Sequence, residues 1–129
     1  MPTDLRRRLV EEHGREVFIT SVVGDSALIY PLPTWEGIEQ RLLSLPSTDR
    51  TRRKFLERVH YFGQEGRLDA QGRVVIPLIL RSSAQIEGEV VVGARLDHVE
   101  VWNKDRLNRR FDDDQFTEAD FEYLSEKGI

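Results

Sequence analysis

The sequence predicts an α+β fold of single-domain size, built from short strand pairs alternating with short helices. Three observations lead there. Runs rich in β-branched residues at 16–23, 27–30, 89–94 and 99–102 are set off by glycine, proline or aspartate. Between them, apolar side chains recur at helical spacing, as in Trp35, Ile38, Leu42 and Leu43. The two halves of the 129 residues also repeat the order helix, strand, strand, helix, at an offset of about 72 to 75, the mark of a duplicated supersecondary unit.

Taken in order, Thr3 is an N-cap, Leu5, Leu9 and Val10 form a stripe and Gly14 is a stop, so residues 3 to 13 read as a short helix. Glu16 to Val23 is a strand, turned at Gly24-Asp25 into a second one, Ala27 to Tyr30. Pro31 and Pro33 punctuate, and a helix follows over roughly 34 to 44. Leu45-Pro46-Ser47-Thr48 is a linker in which Ser47 or Thr48 caps a helix reaching about residue 61, with Phe55, Leu56 and Val59 inward. Arg50, Arg53, Lys54 and Arg58 make a basic stripe on its other side, a solvated face or a phosphate contact. After a hairpin at 67–77, Leu78 to Ile86 reads as a short helix ended by Gly88, then strands at 89–94 and 99–102, and a helix at 104–111 capped by Asn103. Asp112-Asp113-Asp114 is a solvated turn. Thr117 and Asp120 make a capping box, with Phe116 and Phe121 as its staple, for a last helix stopped by Gly128.

Composition narrows the function. Without cysteine there are no disulfides, thiolate metal sites or thiol nucleophiles, and His13, His60 and His98 lack metal-ligand spacing. Neither a bilayer-length apolar run nor a secretion signal is present, so a soluble cytoplasmic protein with no membrane partner is expected. The net charge of -4 is uneven: residues 41 to 81 carry +5 and residues 111 to 129 carry -6. No Ser or His arrangement, phosphate loop or paired-carboxylate pocket is suggested, so an enzyme, a small-molecule substrate and a cofactor are not expected.

The basic block contains the stretch Arg67-Leu68-Asp69-Ala70-Gln71-Gly72-Arg73-Val74-Val75-Ile76-Pro77. Leu68, Val74 and Ile76 read as buried strand positions around a tight turn. There Gly72 takes positive φ and the Asp69 side chain accepts from backbone N–H groups two residues on. Arg73 then stands at a rigid tip, suited to phosphate oxygens or base edges. The plainer reading is an ordinary hairpin whose Asp69 caps the turn and pairs with Arg73.

The string Leu68-Asp69-x-x-Gly72-Arg73-Val74-x-Ile76-Pro77, followed by a short helix and by Val99-Glu100-Val101-Trp102, is similar to an AbrB-type swapped-hairpin unit. With Leu28-Ile29-Tyr30-Pro31-Leu32-Pro33-x-Trp35 and the two-copy layout, the whole chain resembles the MraZ family. The resemblance implies two tandem AbrB/SpoVT-like swapped-hairpin β-barrel repeats. They would be divided as 1–46 (first repeat, N-terminally incomplete), 47–62 (connecting helix), 63–111 (second repeat) and 112–129 (acidic C-terminal helix). It further implies a nucleoid-associated regulator of the division and cell-wall gene cluster, a ring-like homo-oligomer that binds repeated sites on double-stranded DNA. Its DNA-binding residues would be Asp69, Gln71, Gly72 and Arg73, with Arg67 and Arg81 flanking them.

MraZ-like chains carry this hairpin in both halves, whereas here Met1 stands where the first should end, so a start codon further upstream is expected. If the short form folds, exposed edges on copy one would invite pairing with another chain. An oligomerisation or protein-interaction module with weak or no DNA binding is the alternative.

Overall fold

The computed structural model describes residues 14–129. The helix expected over residues 3 to 13 lies outside the described residues. Five strands, β1 (Glu16–Thr20), β2 (Ala27–Pro31), β3 (Gln64–Arg67), β4 (Val90–Ala94) and β5 (Val99–Asn103), form one antiparallel sheet in the order β3-β1-β2-β5-β4. The helices are α1 (Leu32–Leu43), α2 (Arg50–Phe62), α3 (Leu78–Ala84), α4 (Lys104–Asp113) and α5 (Glu118–Glu126). Strands from both halves of the chain thus share a single sheet.

Alternation along the strands sorts the side chains onto two faces. Val17, Ile19, Ala27, Ile29, Val99 and Val101 form one buried cluster with Leu68 and with Leu80 and Ala84 of α3. The opposite face carries Phe18 and Tyr30, which pack on the buried Trp35 of α1, Phe18 stacked on it at 4.6 Å between centroids. Thr20 donates its hydroxyl to the Val59 carbonyl at 2.7 Å and so ties α2 to β1.

The pairing register repeats between the halves. Val17 lies opposite Pro31, Phe18 opposite Tyr30 and Ile19 opposite Ile29. Val90, Val91 and Val92 lie in the same way opposite Asn103, Trp102 and Val101. At the centre Ala27 pairs with Val101, Leu28 with Glu100 and Ile29 with Val99, a pattern unchanged when the two halves are exchanged. Leu107 of α4 is buried at the position matching Trp35, as the duplication expects.

Several expectations are corrected. β1 stops at Thr20, because Ser21 Oγ accepts from the Gly24 N–H at 3.0 Å and opens a loop, with Gly24 at φ +77. Asp49, rather than Ser47 or Thr48, caps α2, its Oδ1 accepting from the Arg52 N–H at 2.8 Å. α3 ends at Ala84, because Gln85 takes the left-handed conformation four residues ahead of Gly88, whose N–H groups an α-helical turn would otherwise have held. α4 continues through Asp112 and Asp113, which are therefore helical rather than part of a turn.

Two differences matter most. The arm at 74–77 is not a strand: Val74 and Ile76 leave the plane of β3 and are half-buried against the main core cluster. The edge left open also lies on the other copy. β3, from the second half, pairs with β1 of the first, so among the described residues it is β4 that lacks a neighbour on one side.

Candidate nucleic-acid interface

The turn at 69–73 is built from its anchor outward. Leu68 is 1 % exposed, wedged into the core, and its N–H donates to the Arg15 carbonyl at 3.0 Å, so the chain enters the turn from a fixed point. Gly66 just before it has to be glycine, because a Cβ there would stand 2.8 Å from Ile19 Cδ1. The turn closes by two backbone bonds, Asp69 N–H to the Arg73 carbonyl at 2.9 Å and Gly72 N–H to the Asp69 carbonyl at 3.0 Å. Gly72 sits at φ +76, a conformation that disfavours any side chain.

Asp69 organises the interior of this turn. Its Oδ1 accepts from the backbone N–H of Gln71 at 2.9 Å and of Arg73 at 2.8 Å, while Oδ2 accepts from Arg73 Nε at 2.7 Å. The Arg73 backbone N–H, followed by its guanidinium, holds the Asp69 carboxyl below the usual carboxylate range. Arg73 Nη2 also donates to Gln71 Oε1 at 3.4 Å. Its side chain is 76 % exposed. One edge of the guanidinium is thus held by Asp69, and the outer N–H groups point to solvent in a fixed orientation. A planar fork of donors presented that way fits a phosphate oxygen pair or a guanine edge.

Asp69 does cap the turn and pair with Arg73, as the plainer reading expects. That same contact is what aims the guanidinium. The structure brings Asp69, Gln71, Gly72 and Arg73 together. Arg67 lies at the end of β3, with Nη1 3.9 Å from Glu16 Oε1 and most of its side chain in solvent. Arg81 stands apart from the turn: it lines an open polar cleft with Ser82, Gln85, Asn103, Asp105 and Arg109. The basic side chains of α2 are exposed, with Arg53 3.9 Å from Glu57.

A polar cluster at the β4–β5 turn escaped sequence reasoning. His98 has Nδ1 2.7 Å from Asp97 Oδ1 and Nε2 3.0 Å from Glu100 Oε2, under a stacking contact with Tyr30 at 4.6 Å. Burial pushes the Glu100 carboxyl up, but donors from Trp102 and His98 and the charge of Arg95 outweigh it and leave it below the ordinary range. Burial, followed by the charges of Asp97 and Glu100, raises the Tyr30 hydroxyl. The signal available in the sequence was the two-residue spacing of His98 and Glu100 on one strand face. Among the described residues no group of His, Asp or Glu side chains is placed to hold a metal, and no helix is long and apolar enough to cross a membrane.

Residues 63–126 match the family model described as "MraZ protein, putative antitoxin-like". The chain is 43 % identical over 129 residues to the transcriptional regulator MraZ of Acidobacterium capsulatum, covering all of this chain and 88 % of that protein. It is 38 % identical over 130 residues to the protein of the same name from Koribacter versatilis, with the same coverage. A third relative with this name, from Pelotomaculum thermopropionicum, is 38 % identical over 99 residues, 77 % of this chain and 68 % of that one.

Proposed function

The chain belongs to the MraZ family, and from that premise we propose that it is a transcriptional regulator that reads double-stranded DNA through the Asp69–Arg73 turn. The observation that carries the reading is the exposed guanidinium of Arg73, aimed by the 2.7 Å contact of its Nε with Asp69. Arg73 supplies the contact to phosphate or base, Asp69 positions it, and Gln71 and Gly72 shape the tip. Arg67 adds positive charge beside the turn, whereas Arg81, which lines a separate cleft, would contribute only at a second face.

In this reading the chain is two tandem AbrB/SpoVT-like swapped-hairpin repeats, 1–46 and 63–111, joined by 47–62 and followed by an acidic helix at 112–129. The exchange-invariant register and the crossing of β3 onto the first half support it. One tip is a weak binder, so affinity comes from assembly into a ring-like homo-oligomer on repeated promoter sites of the division and cell-wall gene cluster. The protein would then work in the cytoplasm at the nucleoid, as a binder rather than an enzyme.

The acidic α5 and the uncovered edge of β4 favour a second reading, an oligomerisation module with weak or no DNA binding. Fluorescence anisotropy on labelled duplex carrying tandem promoter repeats separates the two. Arg73→Ala is expected to weaken binding by about tenfold or more, in line with the ~1–3 kcal/mol of a bidentate arginine contact, with its melting temperature unchanged. An unchanged affinity removes Arg73 from the interface, and an unaltered chain that assembles but does not bind the duplex selects the second reading.

A further inference from the structure

β1 is flanked on both edges, by β2 and β3, whereas β4 is paired with β5 alone. Which backbone groups face the open side follows from two bonds. The Glu89 carbonyl accepts from Lys104 N–H at 3.2 Å and the Arg95 N–H donates to the His98 carbonyl at 2.8 Å, both toward β5. By alternation, Val90, Val92 and Ala94 turn their N–H and C=O groups outward. The strand they belong to, Val90-Val91-Val92-Gly93-Ala94, contains no charge and no proline, the devices by which edges are usually protected. Val90 and Val91 are 41 % and 37 % exposed. Charge flanks the strand on each side, with Glu89 before it and Arg95 after it.

We propose that β4 is a self-pairing edge: a second copy of this chain adds its own β4 antiparallel to the first, about a two-fold axis through the Val92 pair. Alternation allows only registers in which outward residues meet outward residues. Centring on Val92 sets Val92 opposite Val92 and Val90 opposite Ala94, so that all three outward residues of each copy exchange hydrogen bonds. It also places Glu89 opposite Arg95 of the second copy, at both ends of the pairing and on one face of the sheet. Centring on Val91 instead sets Glu89 opposite Gly93, forms fewer bonds and loses both ion pairs. On the core face Val90 and Val92 line an apolar groove of about 250 Å3 with Ile29, Val74, Ile76 and Val101, and the second copy's Val92 and Val90 extend that surface. The contact is isologous, so it joins two sheets into one and closes at two copies.

Charge reversal and mixing test the register. Glu89→Arg sets arginine against Arg95 at both ends, and Arg95→Glu sets glutamate against Glu89, whereas an equal mixture of the two variants restores complementarity. In sedimentation equilibrium each variant alone should raise the dissociation constant of the β4-mediated pair by about tenfold or more, and the mixture should return it toward that of the unaltered chain. The chain has no cysteine, so single replacements report position directly. Val92→Cys should form a disulfide-linked pair under mild oxidation, and Val91→Cys, which falls opposite Gly93, should not. The proposal is overturned if the single variants associate as the unaltered chain does, if mixing restores nothing, or if Val91→Cys cross-links more readily than Val92→Cys.

Discussion

At the scale of single residues, Asp69 carries more of the site than Arg73 does. One carboxylate satisfies two backbone N–H groups and one guanidinium N–H, so the conformation of the tip depends on its charge. Its folded-state pKa is depressed. The stabilisation it gives is therefore fully present above the ordinary value of 3.8 and is lost as pH falls through the lower, folded value. In an NMR titration the Gln71 and Arg73 amide resonances should stay native from neutral pH to about pH 4 and shift only below it. A midpoint above about pH 5 would mean that the carboxylate is not the cap. The residues of this turn were legible in the sequence, because Asp-x-x-Gly-Arg names its own chemistry: an aspartate that caps, a glycine that takes positive φ and an arginine left at the tip.

At the scale of elements, the sequence identified most strands and helices among the described residues but not where the returning arm goes. Periodicity reports which side chains are apolar, and Val74 and Ile76 look the same whether they pair in a ladder or merely cover a core. Long-range partners decide between the two, and here β3 spends its hydrogen bonds on β1 of the other half. The same limit explains the misplaced open edge, since a crossed pairing leaves no local trace. Leu68 is the pivot of that crossing, and Leu68→Ala should lower unfolding stability by about 2–5 kcal/mol in urea denaturation, with the slope retained. A loss below 1 kcal/mol would show that the turn is not anchored through the core. α5 is the opposite case. It has a complete capping box at Thr117 and Asp120 and a Phe116–Phe121 contact at 4.7 Å, yet buries no residue. Thr117→Ala should cost about 1 kcal/mol of local helix stability, seen as faster amide exchange over 118–126, while the global melting temperature holds.

For the whole molecule, an acidic chain reaches a polyanion by separating its charges along the sequence. The block from 41 to 81 carries +5 and contains the tip, and the -6 tail sits on a helix that packs on nothing among the described residues. A sum of -4 hides that division, so net charge alone would have misjudged the partner. The central claim is that Arg73 itself meets the phosphate backbone or a base edge, and counterion release measures such contacts directly. The decisive measurement is the slope of log binding constant against log salt on tandem-repeat promoter duplex, for the unaltered chain and for Arg73→Ala. If Arg73 takes a phosphate, the slope should flatten by about one for every chain bound, following the ~0.9 expected per phosphate contact. Equal slopes and equal affinities for the two proteins would contradict the account.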